Sequence, residues 1–217
     1  DSNPWVKKVL TLEKYKSTAH QQFIKEATFS DLKVYATLVD QLPQNSILHC
    51  ANSAGIRYAQ LFDHREDVRH FANRGTSGID GSTSTAIGHA SLSESPVVLL
   101  TGDVAFQYDN AAFWNDRLPQ NLKIVVINNK GGNIFRIIKG PDQIESFERF
   151  QETEHDIKLS AVAEMYNIPF KCIKEGDALI ESVRNFFELP GLAILEIQTP
   201  RLESPEVLKA YFKYLKP

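Results

Sequence analysis

The sequence predicts an α/β fold, a doubly wound and largely parallel sheet with helices on both faces. Three observations support this fold class. Short β-branched apolar runs alternate with helix-compatible segments along most of the chain. Residues 97–101 and 124–127 are two such runs joined by a helix-like crossover, the pattern of a βαβ unit with parallel strands. Each run then ends in polar or glycine-rich sequence, as is typical where ligands bind at the carboxyl edge of an open α/β sheet.

The other elements follow in chain order. Residues 1–28 are charged and helix-compatible, with little core pattern, and are expected to form a linker or a covering helix. Ser30 is a suitable N-cap for a helix to Gln41 that ends before Pro43. Further strands are expected at 47–50, 71–72, 170–173 and 192–198, and further helices at 54–62, 82–90, 159–166, 177–187 and 205–215. Residues 136–158 are expected to be irregular except for a short helix at 145–150, and such a long loop often covers a ligand.

Composition limits the class of protein. The chain has 217 residues, 42% of them hydrophobic and 24% charged, with a net charge of -3, which gives no electrostatic footprint for nucleic acid. No apolar run approaches the length of a membrane span, and the first residues do not resemble a signal peptide. Cys50 and Cys172 are expected to be buried thiols in a reducing compartment, so a cytoplasmic location is expected. The chain begins without Met, and we expect it to be a fragment.

Asp103 and Asn129 follow the two strands of the βαβ unit and should lie side by side at one sheet edge. Carboxylate and carboxamide oxygens suit Mg²⁺ or Ca²⁺ and suit zinc poorly, and Mg²⁺ is commonly shared with substrate phosphates. Gly131 and Gly132 would let backbone approach a phosphate closely. The pattern therefore predicts a Mg²⁺-diphosphate site.

A purely structural interpretation of each half remains open at this point. Asp103 could simply cap the helix that follows it, since an acidic residue there satisfies free N–H groups. The sequence after the second strand, residues 128–132, is also ordinary turn composition. The combination of the two at this spacing favours the ligand site.

Gly102-Asp103 followed by Asn128-Asn129 resembles the thiamine-diphosphate motif of the decarboxylase and carboligase superfamily. Residues 73–86, NRGTSGIDGSTSTA, closely resemble the signature of the 2-succinyl-5-enolpyruvyl-6-hydroxy-3-cyclohexene-1-carboxylate synthases of menaquinone biosynthesis. Residues 52–57 and 131–135 fit the same branch. The resemblance is strong over 52–135 and rests elsewhere on the order of elements.

The resemblance implies a domain organisation. Family enzymes carry a pyrimidine-binding domain, a central domain and a diphosphate-binding domain, and form homodimers or homotetramers. Residues 29–217 would be the diphosphate-binding domain, and residues 1–28 a linker or N-terminal helix from a preceding domain. The glutamate that activates the cofactor belongs to the pyrimidine domain, so no catalytic residue is expected here and the fragment alone should be inactive.

The resemblance also assigns roles to individual residues. The metal, Mg²⁺ or Mn²⁺, would be held by the side chains of Asp103 and Asn129 and the carbonyl of Gly131. Thiamine diphosphate would contact Ile79, Gly102, Asp103, Val104, Ala105, Asn129, Gly131, Gly132, Asn133 and Ile134. Substrate would contact Ser53, Arg57, Arg74, Ile134 and Phe135.

The implied activity is that of a transferase, a carboligase that decarboxylates 2-oxoglutarate and adds the succinyl carbanion equivalent to isochorismate. Both substrates are dicarboxylates, and guanidinium groups such as those of Arg57 and Arg74 bind carboxylates in bidentate fashion. The alternative is that these arginines form surface ion pairs with acidic neighbours, namely Glu66, Asp67 or Asp80. The histidines at 49, 64, 70, 89 and 155 lack metal-ligand spacing and are expected to be structural or at the surface.

Two positions depart from the wider pattern. Val104 stands where many superfamily members carry glycine, although an apolar residue is common in this branch. Lys130 stands where the branch has something small or neutral, and we expect its side chain to point to solvent.

Three other functions remain open from the sequence. Another thiamine-diphosphate enzyme, of the acetolactate synthase or keto-acid decarboxylase type, would share the motif. A flavodoxin-like Mg²⁺ signalling module would use Asp103 as a phosphate acceptor, although residues 47–51 lack the further acidic residues that it needs. A non-catalytic domain that only dimerises would bind no cofactor at all.

Overall fold

A computed structural model describes residues 3–175 and 177–216, with the side chain of Asp142 left aside. Its centre is a six-stranded sheet in which every paired strand is parallel, in the order β2-β1-β3-β4-β6-β5. The strands are β1 (Ile47–Cys50), β2 (Arg69–Phe71), β3 (Val97–Gly102), β4 (Leu122–Asn128), β5 (Phe170–Ile173) and β6 (Ala193–Gln198). The predicted fold class is confirmed.

Helices and helical turns connect the strands. The α-helices are α1 (Pro4–Glu26), α2 (Asp31–Gln41), α3 (Ala54–Ala59), α4 (Ser82–Ser91), α5 (Asp103–Tyr108), α6 (Ile134–Ile137), α7 (Leu159–Met165), α8 (Leu179–Phe187) and α9 (Glu203–Tyr214). Short 3₁₀ segments cover Asn110–Trp114 and Pro141–Gln143, and a π-helical turn covers Phe147–Glu152.

The middle strands are buried on both faces, which is why they are continuous apolar runs in the sequence. Alternate side chains enter two separate cores. Leu48 and Leu100 point into the core beneath α2, α3, α8 and α9, whereas Ile47 and Leu99 point into the core beneath α4 and α7. The period of two along each strand therefore fixes which helices cover which face.

The chain runs from β1 outward to β2, then returns to place β3 on the other side of β1 and continues in the opposite direction. The loops after β1 and β3 consequently leave the sheet toward opposite faces. This reversal is the topological switch point, where a crevice opens at the carboxyl ends of the strands.

Helix ends largely follow the local signals in the sequence. The side chain of Ser30 accepts a hydrogen bond from the Lys33 N–H and caps α2, as predicted. The helix-compatible N-terminal segment forms α1, whose last turns pack on α9 through a Phe23–Tyr211 edge contact.

Several predicted details differ from the structure. The helix after β1 ends at Ala59 rather than at 62, because Leu61 and Phe62 tighten into turns bonded to Tyr58 and Ala59. The short helix expected at 145–150 is a π-helical turn at 147–152. Cys50 is buried as predicted, but Cys172 is exposed, because β5 lies at the edge of the sheet and its outer residues are not covered.

Within the described residues, no helix combines the length and apolarity that a bilayer crossing requires.

Candidate cofactor site

A cavity of about 300 Å³ lies at the switch point, where the segments after β1, β3 and β4 converge. It brings together most of the residues that the sequence singled out. Those in its lining are Ser53, Ile79, Gly102, Asp103, Val104, Ala105, Asn129, Gly131, Gly132, Asn133 and Phe135. The lining also includes residues that sequence reasoning did not single out as site residues, namely Asn52, Ala54, Gly55, Tyr108 and residues 150–153.

Asp103 is the first residue of α5 and is only 2% exposed. Its Oδ1 accepts the N–H of Val104 at 2.8 Å, and its Oδ2 accepts the N–H of Gly131 at 2.9 Å. These two backbone bonds fix the carboxylate and tie the loop after β4 to the end of β3. A carboxylate oxygen has further lone pairs, so the group can still coordinate a cation from the cavity side.

The two adjacent asparagines after β4 have different roles. Both ends of the Asn128 side-chain amide form hydrogen bonds within the protein. Its Nδ2 donates to Glu196 Oε1 at 2.5 Å, and its Oδ1 accepts the Lys130 N–H at 3.0 Å. Asn129 is 6% exposed, and its Oδ1 has no hydrogen-bond partner among the residues that the structure describes. A buried carbonyl oxygen without a partner costs roughly 1–3 kcal/mol, so this oxygen fits the position of a metal ligand.

The glycine loop needs an unusual backbone. Gly131 has φ +155°, and a Cβ there would lie 2.8 Å from the carbonyl oxygen of Glu152. Only glycine fits this conformation and this close approach. Lys130 directs its exposed side chain away to Asp156, with Nζ 2.9 Å from Oδ1, in agreement with the expectation that it points to solvent.

His155 lies in the site, although the sequence assigned it a structural or surface position. Its Nε2 is 3.2 Å from Asp103 Oδ2, while its Nδ1 accepts the N–H of Ile157 at 3.3 Å. This acceptor role assigns the proton of the neutral ring to Nε2, facing the carboxylate. The Asp103 carboxylate raises the pKa of His155 above its ordinary value. No local pattern signals this contact, since it is made only when residues 147–156 fold over the glycine loop.

Asp31 is a second residue that no sequence pattern indicated, because an acidic residue directly after the N-cap Ser30 is ordinary for the first turn of a helix. It is 1% exposed, and its carboxylate accepts hydrogen bonds from Asn129 Nδ2 at 2.9 Å and Thr199 Oγ1 at 2.5 Å. Burial raises the pKa of Asp31 to about 6, against the effect of these hydrogen bonds. Both of its carboxylate oxygens act as hydrogen-bond acceptors in this arrangement.

Ser53, between β1 and α3, is held in a strained backbone conformation. Its φ of 68° and ψ of -129° are unfavourable for a residue with a Cβ. Such strain costs about 1–3 kcal/mol and concentrates at functional sites. Here it turns the chain so that Ser53 lines the cavity directly after the strand ends.

The two predicted substrate arginines lie beside the cavity and outside its lining. Arg57 Nη1 donates to the Ser53 carbonyl at 2.7 Å, and Arg74 Nη1 donates to Asn52 Oδ1 at 2.9 Å. Neither forms an ion pair with an acidic side chain in the described part of the chain, and Asp67 is paired with Arg65 instead. The surface ion-pair alternative therefore does not hold, and both guanidinium groups keep donors for a ligand.

The 73–81 loop is anchored by Asn52, whose Nδ2 donates to the carbonyls of Asn73 and Gly78 at 2.8 and 2.6 Å. These bonds place Ile79 against the cavity. Phe135 also lines the cavity, whereas Ile134 is buried behind it and is absent from the lining.

The cavity is covered by the turn at 147–152 and by Thr153. The Glu152 carbonyl accepts the Gly132 N–H, and the fully buried Glu152 carboxylate binds Arg136 at 2.5 Å and Arg201 at 3.0 Å. This ion-pair cluster holds the turn in place. The segment that was expected to cover a ligand therefore does lie over the cavity.

The cavity at the switch point, with a carboxylate, a buried amide oxygen and a glycine loop in its wall, has the features of a metal-diphosphate site in an α/β domain. The chain belongs to the family described as thiamine pyrophosphate enzyme, C-terminal TPP binding domain, whose model matches residues 49–197. That family uses a diphosphate cofactor, so a receiver-type signalling module is excluded.

Curated relatives narrow the resemblance. The chain is 43% identical over 213 residues to a protein of Flavobacterium johnsoniae and 41% identical over 198 residues to one of Christiangramia forsetii, covering 97% and 91% of this chain. A protein of Bacteroides fragilis is 34% identical over 194 residues, covering 88% of this chain. All three are named 2-succinyl-5-enolpyruvyl-6-hydroxy-3-cyclohexene-1-carboxylate synthase. The resemblance predicted from residues 73–86 is confirmed.

The chain spans about a third of the length of these relatives, with 38%, 34% and 35% of the three proteins covered.

Proposed function

We propose that this chain is the diphosphate-binding part of a transferase that joins the four-carbon unit left by decarboxylation of 2-oxoglutarate to isochorismate, in menaquinone biosynthesis. The names of relatives at 34–43% identity support this activity. We further propose that residues 29–217 form the cofactor domain and that residues 1–28 lead from a preceding domain, with the greater length of the relatives leaving room for other domains.

The cation, Mg²⁺ or Mn²⁺, would be held by the side-chain oxygens of Asp103 and Asn129 and by the carbonyl of Gly131. The observation that carries this assignment is the buried Oδ1 of Asn129, which has no protein partner within the described residues and lines the same cavity as Asp103. One carboxylate with neutral oxygens suits a hard cation that shares its remaining positions with a diphosphate.

The diphosphate would lie against backbone from both strand ends. The residues proposed to line it are Gly102, Val104, Ala105, Gly132 and Asn133, all in the cavity wall. Ile79 would support the ring system from the 73–81 loop, and Phe135 would form an apolar wall with Ile134 packed behind it, so that Ile134 would not contact the cofactor or substrate directly. When bound, thiamine diphosphate supplies the electron sink for decarboxylation and carbon–carbon bond formation.

This domain contributes positioning and charge. Arg57, Arg74 and Ser53 would bind the carboxylates of the two substrates, the arginines through donors that they do not spend on Ser53 and Asn52. Glu152 and its arginines would hold the cover that excludes water from the site. We propose that the full-length protein is a cytoplasmic homodimer or homotetramer.

Isothermal titration of thiamine diphosphate with Mg²⁺ into the full-length protein tests the site. We expect Asp103→Ala to weaken cofactor binding about 100-fold or more, because removal of a metal ligand costs at least as much as removal of its supporting residues. Asp116→Ala, a change to an exposed aspartate outside the cavity lining, is the control and should bind like the wild type. Unchanged affinity in Asp103→Ala would refute the metal assignment.

A further inference from the structure

The carboxamide of Asn129 has two chemically different ends, and only one of them can bind a cation. Its Nδ2 donates to Asp31 Oδ2 at 2.9 Å, and its Oδ1 is left on the side without a protein partner in the described structure. Rotation of this amide by half a turn would present two N–H donors to the cation instead of an oxygen. The site therefore needs something that sets the direction of this amide.

Asp31 is itself fixed by elements distant in sequence. Its Oδ1 accepts the hydroxyl of Thr199 at 2.5 Å, and its backbone N–H donates to Ser204 Oγ at 3.0 Å. Thr199 follows β6, and Ser204 lies in the first turn of α9. The carboxylate is thus held with one oxygen bound to Thr199 and the other directed at Asn129.

A carboxylate is an acceptor only, and this property is what selects the amide direction. A serine or an amide in the place of Asp31 could donate as well as accept, and so could bind either end of Asn129. Both oxygens of Asp31 accept hydrogen bonds, so they attract the NH₂ group of Asn129 and repel its carbonyl oxygen. Asn128 is held in the same way by the Glu196 carboxylate, but its oxygen is then used by the Lys130 N–H, whereas that of Asn129 stays free.

We propose that Asp31 is a positioning residue that aims the Asn129 oxygen at the cation. This inference rests on the proposed role of Asn129 as a metal ligand. Asp31 would bind neither cation nor cofactor itself. The competing explanation is that Asp31 only pins α2 to the β6–α9 turn, in which case its loss would lower stability without acting through Asn129.

The test is a double-mutant cycle in the full-length protein, with Mn²⁺ titrated in the presence of thiamine diphosphate and free Mn²⁺ followed by electron paramagnetic resonance. We expect Asp31→Leu to weaken Mn²⁺ binding about 10- to 100-fold, the range for loss of a group that orients a metal ligand. Asp31→Asn should weaken Mn²⁺ binding by no more than about threefold, since an amide that can bind either end of Asn129 still leaves the Asn129 oxygen facing the cation in about half of the molecules.

The same changes are then made in an Asn129→Asp background. A carboxylate at 129 presents an oxygen in either orientation and needs no selector, so Asp31→Leu should weaken Mn²⁺ binding by less than about threefold in this background, the remainder being the loss of a neighbouring negative charge. If Asp31→Leu does not fold, Asp31→Ala is used instead in both backgrounds, because it also removes the acceptor. Melting temperatures are recorded for the same variants, so that a loss of stability is distinguished from a loss of Mn²⁺ affinity.

The proposal would be overturned if Asp31→Leu lowered Mn²⁺ affinity equally in the two backgrounds, or if Asp31→Asn lowered it as much as Asp31→Leu. In either case the effect of Asp31 would not act through the Asn129 amide. Unchanged affinity in Asp31→Leu would also overturn it. If the proposed function itself is wrong, the result is different. The wild type then binds no Mn²⁺, or Asp103→Ala binds Mn²⁺ as tightly as the wild type.

Discussion

At the cavity, several polar side chains are held by a hydrogen bond through one of their polar atoms, while another polar atom remains available for a ligand. Asp103 is fixed by two backbone N–H groups, and Asn129 is fixed by Asp31 while its oxygen remains available. Arg57 and Arg74 each use one donor on a residue of the cavity wall. This arrangement lowers the entropy lost when a ligand binds, because the binding groups are already oriented.

The substrate role of the arginines can be tested one residue at a time. We expect Arg57→Ala or Arg74→Ala in the full-length protein to raise KM for 2-oxoglutarate or isochorismate about 10- to 100-fold, the effect of losing a charge-assisted hydrogen bond. Arg65→Ala is the control, since that guanidinium is spent on Asp67 and the Leu42 carbonyl. Steady-state kinetics at varied substrate check the prediction, and unchanged KM for both substrates would reject the role.

His49 should make stability depend on pH. Burial, and then the neighbouring His89 at 2.9 Å, lower the pKa of His49 to about 4. The unfolded chain binds a proton on this imidazole near pH 6.5, whereas the folded chain binds it only near pH 4. The stabilisation that the neutral His49 gives is therefore present above about pH 6.5 and is lost as the pH falls toward 4. The neighbouring strand β2 is an edge strand with exposed Phe71, so solvent screening reduces the contribution to about 1–2 kcal/mol.

Urea unfolding of the wild type and His49→Gln at pH 7.5 and pH 4.5 measures this contribution. The difference in free energy of unfolding between the two proteins should shrink by about that amount at the lower pH. Gln21→Ala, which removes an exposed side chain of α1 that does not titrate, should show the same difference from the wild type at both pH values.

At the scale of elements, the site is made by strand ends and the segments that follow them. β1, β3 and β4 supply the wall, and the turn at 147–152 supplies the cover. The Glu152 cluster with Arg136 and Arg201 ties this cover to the rest of the domain.

Two glutamates of the cover provide a matched comparison, because Arg136 binds both. Glu152→Gln should lower the free energy of unfolding by about 2–3 kcal/mol, since it leaves two poorly exposed guanidinium groups without their buried partner. Glu148→Gln should cost about 0.5 kcal/mol or less, because that carboxylate is exposed. Urea denaturation checks both, and equal losses would show that burial of Glu152 contributes nothing special.

At the scale of the whole molecule, the reversal of strand order between β1 and β3 opens the crevice that the cavity occupies. The two cores hold the sheet between helical layers, so the strand ends form a rigid edge. Because this edge is rigid, Asp103 and Asn129 are already in position before a ligand binds and need no rearrangement.

The length of the relatives leads to a prediction for the chain as a unit. Under the proposed division into domains, the 217-residue chain alone should show no synthase activity with 2-oxoglutarate and isochorismate, and it should bind thiamine diphosphate at least about tenfold more weakly than the full-length protein, because a preceding domain would supply the rest of the pocket. Calorimetry and a product assay on both proteins check this. Full activity in the isolated chain would contradict the proposed division into domains.

The sequence by itself determined the fold class, most strand positions and most of the residues that line the cavity. The apolar runs and the polar residues that follow them are local patterns, and parallel strands must bring their carboxyl ends to one edge. The proximity of Asp103 and Asn129 could therefore be predicted without coordinates. The 73–86 signature was likewise a continuous stretch.

Only the tertiary structure decided how those residues are held. Asp31 and Asn129 are 98 positions apart, and the contact between them exists because α2 packs beside the end of β4. His155 reaches Asp103, and Glu152 covers Gly132, only after the cover has folded back over the loop. Such contacts depend on the distance between separate elements, which no local pattern encodes, and so the orientation of the Asn129 oxygen could not be predicted from sequence.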